Sequence, residues 1–340
     1  MTRHCISIDE PFVFEAGGSI PHLDIVYHCS ERAYRKGDKV LWICHALTAN
    51  SNPEEWWSDL TGPGKLFDTE KYFVICPNIF GSPYGTTGPA SINPATGRPY
   101  MFDFPQISIR DIARLCILLR KKLGIDKVDF LVGSSVGGFY AAEWCIMEPD
   151  TIRKAALIAT ATRATPYLTA YNESQRMALE ADQTFREAAS LKGGEKGLQC
   201  ARSIALISYR SYDGYNATQS EADPDTFLAG RAASYQRHQG RKLSDRFDAY
   251  SYWYLTRALD SHNVGRGRGG EKEALRSIKA DTTVIAIESD CLFPKKDMKK
   301  TARMIPGAKY TTIKSKFGHD GFLLEYKQLS DIIRPLITTD

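Results

Sequence analysis

A serine flanked by small residues is the position of this sequence best suited to chemistry. Ser135 lies in the run Gly-Ser-Ser-Val-Gly at 133–137, between an apolar stretch at 128–132 and an apolar, helix-compatible stretch at 139–147. A strand that enters a tight turn of small residues and continues as a helix is typical of a nucleophile elbow, where the serine hydroxyl points out above a sheet. The free amides at the start of such a helix would stabilise an oxyanion. The pattern therefore predicts Ser135 as the nucleophile of an acyl transfer, rather than a glycine- and serine-rich turn without chemistry.

A serine hydroxyl is too weakly acidic to attack unaided, so a histidine must accept its proton. In the chain order typical of this elbow the histidine follows the serine, which leaves His238, His262 and His319. His238 and His262 lie in a polar segment of helical spacing, and we expect both to be solvent-exposed. His319 follows a predicted strand at 310–313 through a short loop, which is where this architecture presents its general base. We therefore predict His319 as the base.

The base needs a carboxylate to orient it, and three acidic residues compete for this role. Asp290 comes just after a predicted strand at 282–287 and 29 residues before His319, so both can meet at one edge of a sheet. Glu288 would point to the opposite face from the strand residues beside it, and Asp320 is too close in sequence to reach the far ring nitrogen easily. Asp290 is the preferred carboxylate.

An oxyanion hole needs a second backbone donor, expected from the loop after the predicted strand at 39–44. That loop begins His-Ala-Leu-Thr at 45–48. We nominate the amides of Leu47 and Val136 as the two donors. His45 precedes the serine in the chain, so we expect it to pack under the loop rather than act as a base.

The elements that position these residues alternate in type. Short apolar runs at 39–44, 72–76, 128–132, 155–158, 282–287 and 310–313 predict buried strands, and amphipathic segments at 109–123, 139–147, 294–304 and 321–336 predict helices. This rhythm predicts an α/β fold with a mostly parallel sheet flanked by helices. From about residue 165 to residue 260 the predicted strands are absent, and the apolar residues have the spacing of helices alone. We therefore predict a core domain at 1–164 and 265–340 and an inserted helical lid subdomain at 165–264.

Composition restricts the partners. The 340 residues carry 44 basic and 40 acidic side chains scattered along the chain, for a net charge of +4, which gives no reason to expect a nucleic acid. No stretch is apolar for the roughly 18 residues that a membrane helix needs, and the first ten residues lack an apolar signal core, so we expect a cytoplasmic protein. The eight cysteines show no metal-ligand spacing; we expect buried reduced thiols and no metal.

Several further segments, spread along most of the chain, carry a family resemblance. They lie at 45–48, 85–94, 103–105, 109–111, 133–138, 143–144, 207–211, 246–249, 289–290, 292–294 and 318–320. Together they resemble the homoserine O-acyltransferases, a family within the α/β-hydrolase superfamily. The chain departs from the family's pattern in a shorter lid segment after residue 176 and in Tyr250, which stands where asparagine is usual. The resemblance implies a tunnel through which the acyl donor enters, and we expect the lid of this chain to give that tunnel a different shape from the one usual in the family.

The resemblance implies an activity and a set of roles. Ser135, Asp290 and His319 fall on the family's triad positions, Arg202 and Tyr209 on the residues that hold the amino-acid carboxylate, and Asp320 on the one that holds its ammonium. The implied reaction is ping-pong transfer of an acetyl group from acetyl-CoA to L-homoserine in methionine biosynthesis, with no permanently bound cofactor. A homodimer formed through lid helices is also implied.

Three alternatives stay open from the sequence. The donor could be succinyl-CoA or the acceptor serine, since the residues quoted above do not distinguish them. The same triad could serve a serine esterase that passes the acyl group to water, although a cation and a carboxylate near the base argue against this. A third alternative is a binding protein without catalytic activity. Such a protein would have no reason to retain a serine, an aspartate and a histidine in the order of a catalytic triad.

Overall fold

The computed structural model describes residues 1–228 and 230–339. It confirms the predicted α/β class: a mostly parallel sheet of eight strands is flanked by helices. The two predicted domain ranges each include one residue outside the described part, 229 in the lid and 340 in the core. In chain order, strands β1–β8 of this sheet are Thr2–Ile8, Leu23–Cys29, Val40–Cys44, Phe73–Pro77, Val128–Ser134, Ile152–Ile158, Asp281–Ile287 and Lys309–Ile313.

The sheet has the strand order β1-β2-β4-β3-β5-β6-β7-β8. Strand β2 is antiparallel to both of its neighbours, and β3 to β8 run parallel. Strands β3 and β4 are buried at every position, which explains their continuous apolar sequences. The six predicted strands correspond to β3–β8. The antiparallel β1 and β2 were not predicted. Strand β1 is an exposed edge strand with few apolar residues, and β2 is mostly buried but has Asp24 and His28 among its apolar residues.

The helices cover both faces of the sheet. Helices α1–α13 are Pro53–Trp56, Ile109–Lys122, Val136–Met147, Pro166–Glu180, Gln183–Glu187, Glu195–Tyr209, Tyr212–Gln219, Gly230–Ser244, Ala249–Asp260, Glu271–Arg276, Lys295–Met304, Gly321–Leu324 and Tyr326–Thr338. Short 3₁₀ turns lie at Met101–Asp103 and Gly318–Asp320, and two-residue strands pair Phe12–Val13 with Ser19–Ile20 and Ile92–Asn93 with Arg98–Pro99. Ser108 caps α2 in a capping box with Asp111. The helix predicted at 321–336 is divided in two at Glu325.

The apolar core forms two clusters, one on each face of the sheet. Along β5, Leu131 belongs to one cluster while Phe130 and Val132 belong to the other, as the alternation of side chains in a strand requires. Within residues 1–228 and 230–339, no helix combines the length and the apolar character that a bilayer span would need.

The segment between β6 and β7 contains helices α4–α10 in its described residues, and α4–α9 of these lie between residues 165 and 264. Helix α6 packs against both α4 and α8. Where this segment leaves and rejoins the sheet, Arg163 and Asn263 form an antiparallel bridge, so the two passages of the chain lie side by side. We propose that this point marks the boundary of a lid subdomain at 165–264.

Candidate active site

The turn after β5 holds Ser135 in a strained backbone conformation, with φ 55° and ψ −125°. Such a conformation costs a non-glycine residue about 1–3 kcal/mol, so the surroundings must impose it. A Cβ atom at Gly133 would lie 2.3 Å from the carbonyl oxygen of Gly137, and one at Gly137 would lie 2.0 Å from that of Cys44. Because backbone occupies this space, only glycine is accommodated at either position. The turn has the geometry of a nucleophile elbow.

Backbone and side-chain bonds fix this turn. The Ser135 amide donates to the carbonyl of Ile158 at 2.9 Å, and the Ser135 carbonyl accepts from the amide of Gly138 at 3.0 Å. The same carbonyl also accepts from the hydroxyl of Thr160 at 2.7 Å. Thr160 follows β6, so the strand beside β5 helps to hold the serine in place.

The predicted base and carboxylate lie in line with the serine. The Ser135 hydroxyl lies 2.8 Å from His319 Nε2, and His319 Nδ1 lies 2.8 Å from Asp290 Oδ2. All three residues are buried, with 8%, 3% and 5% of Ser135, His319 and Asp290 exposed. In the tautomer that satisfies both contacts, Nδ1–H donates to the carboxylate and Nε2 accepts from the hydroxyl. This arrangement can move the serine proton to the imidazole.

Asp290 has its remaining oxygen occupied by backbone. Its Oδ1 accepts from the amides of Leu292 at 2.8 Å and Phe293 at 3.0 Å. Glu288, one of its competitors, is exposed, and Asp320 faces elsewhere, as described below. Of the three candidates, Asp290 is the one that contacts the histidine.

One side chain ties the loop of the carboxylate to the loop of the histidine. The Ser289 hydroxyl donates to the carbonyl of Ser315 at 2.6 Å and accepts from the amide of Gly318 at 2.9 Å. Because Ser289 precedes Asp290 and Gly318 precedes His319, this bridge keeps the two loops in register. The histidine ring is further packed among aromatic side chains, namely Tyr209, Phe293 and Phe322.

The loop proposed to complete the oxyanion hole lies beside the elbow, and Leu47 lines the same cavity as Ser135. Under this loop, His45 is fully buried: its Nδ1–H donates to the carbonyl of Ala46 at 2.8 Å and its Nε2 accepts from the amide of Ile79 at 3.2 Å. Burial lowers the pKa of His45 to about 4, so the ring is neutral. His45 thus packs under the loop, as predicted.

The Ser135 hydroxyl faces a cavity of about 170 Å³. The three predicted substrate contacts, Arg202, Tyr209 and Asp320, line it together with the serine and the histidine. The guanidinium carbon of Arg202 lies 5.6 Å from the centre of the Tyr209 ring, since the two residues are on one face of α6. Burial raises the pKa of Tyr209, which keeps the phenol protonated. These three side chains bring a cation, a hydroxyl donor and a carboxylate into the cavity.

Further residues of the cavity were not predicted, and Arg246 is the most polar of them. Its guanidinium donates to the carbonyl of Thr48 at 2.6 Å and to the hydroxyl of Tyr84. It therefore braces the loop that carries Leu47. The sequence did point to this residue, because the segment at 246–249 is one of those that carry the family resemblance. No role was predicted for Arg246 itself. Trp56 and Leu323 also line the cavity and lay outside every motif.

Two predictions about solvent exposure need correction. His262 was expected to be exposed, but only 2% of it is accessible: it stacks on Phe139 at 4.1 Å and donates from Nε2 to the carbonyl of Ala161 at 3.0 Å. His262 comes just after α9, where the chain turns back into the core. The spacing of apolar residues along the sequence does not reveal such a turn. Of the eight cysteines, all unpaired, five are buried as expected; the exposed ones are Cys5, Cys200 and Cys291. His238 is exposed, as predicted.

The fold and the geometry of the site are those of an α/β-hydrolase-fold protein. The family model for the α/β-hydrolase fold matches residues 39–326. Relatives narrow the class. The chain is 40% identical to a homoserine O-acetyltransferase from Cyclobacterium marinum, over 98% of this chain and 95% of the relative. It is also 40% identical to one from Moorella thermoacetica, over 95% and 92% of the two chains. The chain belongs to the homoserine O-acetyltransferase family, and it is an enzyme of the acyltransferase class.

Solved structures agree on the fold. A homoserine O-acetyltransferase from Bacillus anthracis superposes with a TM-score of 0.90 at 24% identity, covering 100% of this chain and 98% of that one. An esterase, E22, superposes with a TM-score of 0.87 at 22% identity, covering 99% of each chain. Because a transferase and an esterase share this fold, the fold alone does not decide which molecule accepts the acyl group.

Proposed function

We propose that this enzyme transfers an acetyl group from acetyl-CoA to the hydroxyl of L-homoserine through a covalent acetyl-Ser135 intermediate. The observation that carries the proposal is the presence of both Arg202 and Asp320 in the cavity next to Ser135 and His319. An amino acid presents a carboxylate and an ammonium that complement these two charges, whereas water presents neither. The names of the relatives support the same donor group and acceptor.

In the first half-reaction, His319 Nε2 takes the proton of the Ser135 hydroxyl as its oxygen attacks the thioester carbonyl. The amides of Leu47 and Val136 donate to the oxyanion of the tetrahedral intermediate. Collapse of the intermediate breaks the carbon–sulfur bond. The thiolate of CoA leaves with the proton from His319, and the acetyl group stays on Ser135 as an ester.

In the second half-reaction, homoserine binds with its carboxylate at Arg202 and Tyr209 and its ammonium at Asp320. Its hydroxyl then lies near His319, which takes the hydroxyl proton as the oxygen attacks the acetyl ester. The second tetrahedral intermediate collapses to O-acetylhomoserine. The proton returns to Ser135 through His319, so the enzyme is regenerated.

The co-substrate, the pathway and the compartment are part of the same proposal, and they are inferred from the family to which the chain belongs. Acetyl-CoA acts as a co-substrate rather than a resident cofactor, and the product serves methionine biosynthesis in the cytoplasm. The helical segment at 165–264 acts as the lid over the cavity and joins two copies of the chain in a homodimer.

The test mixes the purified enzyme with acetyl-CoA or succinyl-CoA, with and without L-homoserine or L-serine. Free thiol and acylated product are followed together. We expect sustained thiol release only with acetyl-CoA and homoserine, and at most about one equivalent per enzyme without an acceptor, since the acetyl group then stays on the serine. Sustained release without an amino acid would contradict the transferase and identify a hydrolase.

The matched variants are Ser135→Ala and Ser134→Ala. Ser135→Ala should lower turnover by about a thousandfold or more and abolish the acetylated protein seen by mass spectrometry. Ser134 is the buried neighbour whose hydroxyl has no partner among the described residues, so Ser134→Ala should retain activity. Full turnover by Ser135→Ala would show that the nucleophile is another residue.

A further inference from the structure

We propose that Arg210 is a positioning residue that holds Asp320 ready for the ammonium group of the acceptor. This inference rests on the proposed function, in which Asp320 binds that ammonium. The Arg210 guanidinium Nε lies 3.1 Å from Asp320 Oδ2. Arg210 directly follows Tyr209 at the end of α6, so neighbouring residues of one segment would serve the carboxylate and the ammonium of the same molecule.

Arg210 reaches Asp320 from outside the active site. Asp320 lines the cavity that contains Ser135, whereas Arg210 lines a different cavity of about 410 Å³, beside Tyr212 and Tyr215. Within the described residues, Asp320 Oδ1 accepts no hydrogen bond. The ion pair with Arg210 uses Oδ2, and Oδ1 stays available. Arg210 does not line the substrate cavity and would act through Asp320 alone.

The charge on Asp320 depends on this partner. Burial raises the pKa of Asp320, and the carboxylate of Asp290 raises it further, while Arg210, His319 and Arg202 lower it. A protonated Asp320 would bind an ammonium poorly. When the acceptor is bound, its own carboxylate offsets the charge of Arg202, so Arg210 remains as the permanent cationic partner of Asp320.

Arg210 is itself held firmly. Its guanidinium donates to the hydroxyl of Tyr235 on α8 at 3.2 Å. A Cβ atom at Gly318 would lie 2.8 Å from the Arg210 carbonyl carbon and 2.6 Å from the Ser211 amide nitrogen, so the two backbones are in direct contact. The Ser211 hydroxyl donates to the carbonyl of Lys316 in the histidine loop. The ion pair therefore belongs to a clamp between the α6–α7 junction and the loop of His319.

The experiment compares L-homoserine with 4-hydroxybutanoate, which has the same hydroxyl and carboxylate but no ammonium. Arg210→Gln should lower kcat/KM for homoserine by about tenfold or more, because the ammonium loses a fixed and ionised partner. It should change the value for 4-hydroxybutanoate and the rate of acetyl-enzyme formation by less than about twofold. Arg237→Gln, an exposed arginine on α8, is the matched control and should leave all three quantities as they are.

The pH profile gives a second measure. Asp320 must be ionised to bind the ammonium, so its protonation sets a loss of kcat/KM for homoserine at low pH. Removing the Arg210 cation raises the pKa of Asp320, and the loss should then begin at higher pH in Arg210→Gln than in the wild type. Arg210→Lys keeps the charge and should show a smaller effect in the same direction, which tests the idea even if the glutamine variant is unstable.

Equal losses with both acceptors, or an equal loss in acetyl-enzyme formation, would overturn the inference and show a structural role. Unchanged kcat/KM for homoserine in Arg210→Gln would overturn it as well. A wild-type enzyme that forms acetyl-Ser135 yet transfers nothing to homoserine would contradict the proposed function instead, so the two failures are distinguishable.

Discussion

Two side chains of opposite charge lie in a cavity of about 170 Å³ beside the serine, and their separate roles can be tested at the residue scale. Arg202 presents a guanidinium, which suits bidentate binding of a carboxylate. Asp320 presents the carboxylate that complements an ammonium. A thioester donor has neither an ammonium nor a carboxylate at its reacting carbon, and we therefore propose that the two charges serve the acceptor.

Arg202→Ala is expected to raise the KM for homoserine by about tenfold or more, since a charge-assisted pair to the acceptor is lost. The KM for acetyl-CoA should change by less than about twofold, because the donor does not use this cation. Steady-state kinetics with both substrates varied will measure the two values. Arg241→Ala, an exposed arginine of α8, is the control. An equal rise of both KM values would contradict the assignment of Arg202.

At the scale of elements, the conformation of Ser135 depends on the junction of β5, α3 and β6. The strained conformation of Ser135 is held from β6 through the Thr160 hydroxyl, which donates to the serine carbonyl. A Cβ atom at Gly138 would lie 2.4 Å from that same hydroxyl oxygen, so α3 and the end of β6 are packed without spare room. Thr160 is not among the residues that line the cavity with Ser135, so we expect it to act through the orientation of the serine.

Thr160→Val keeps the volume but removes the donor, and it is expected to lower kcat by about tenfold while leaving both KM values unchanged. Thr160→Ser retains the hydroxyl and should restore most of the rate. Labelling of the serine by a fluorophosphonate probe, measured together with the melting temperature, separates orientation from stability. If the valine and serine variants label equally fast, the hydrogen bond does not position Ser135.

For the whole molecule, two buried histidines make stability depend on pH. Burial lowers the pKa of His45 to about 4 and that of His262 to about 3. In the unfolded chain each titrates near its ordinary value of about 6.5, so only the unfolded state gains protons as the pH falls below that value. The folded state therefore loses stability from about pH 6.5 downwards, by about 2 kcal/mol per histidine at pH 5.

His262→Gln removes one of these groups and keeps a side-chain donor near the carbonyl of Ala161. The loss of unfolding free energy between pH 7.5 and pH 5 should then be smaller by about 2 kcal/mol than in the wild type, as measured by urea denaturation. His238→Gln changes an exposed histidine and should leave the pH dependence as it is. A loss of equal size in His262→Gln and the wild type would show that His262 is not held neutral in the fold.

The sequence by itself determined the features that depend on local physics. Periodicity and apolar runs located strands β3–β8, and the small residues around Ser135 located the elbow, because a strained turn admits glycine and little else. Chain order and position at strand ends selected His319 and Asp290. Strands β1 and β2 were not predicted, because β1 is an exposed edge strand without a buried apolar pattern, and because Asp24 and His28 interrupt the apolar residues of the mostly buried β2.

Only the tertiary structure decided which distant residues meet. It brought Ser135 within 2.8 Å of His319, 184 residues later in the chain, and it paired Arg210 with Asp320. It also buried His262, which its polar neighbours had predicted to be exposed. Contacts of this kind follow from how helices and loops pack after the chain has folded, so no local spacing contains them.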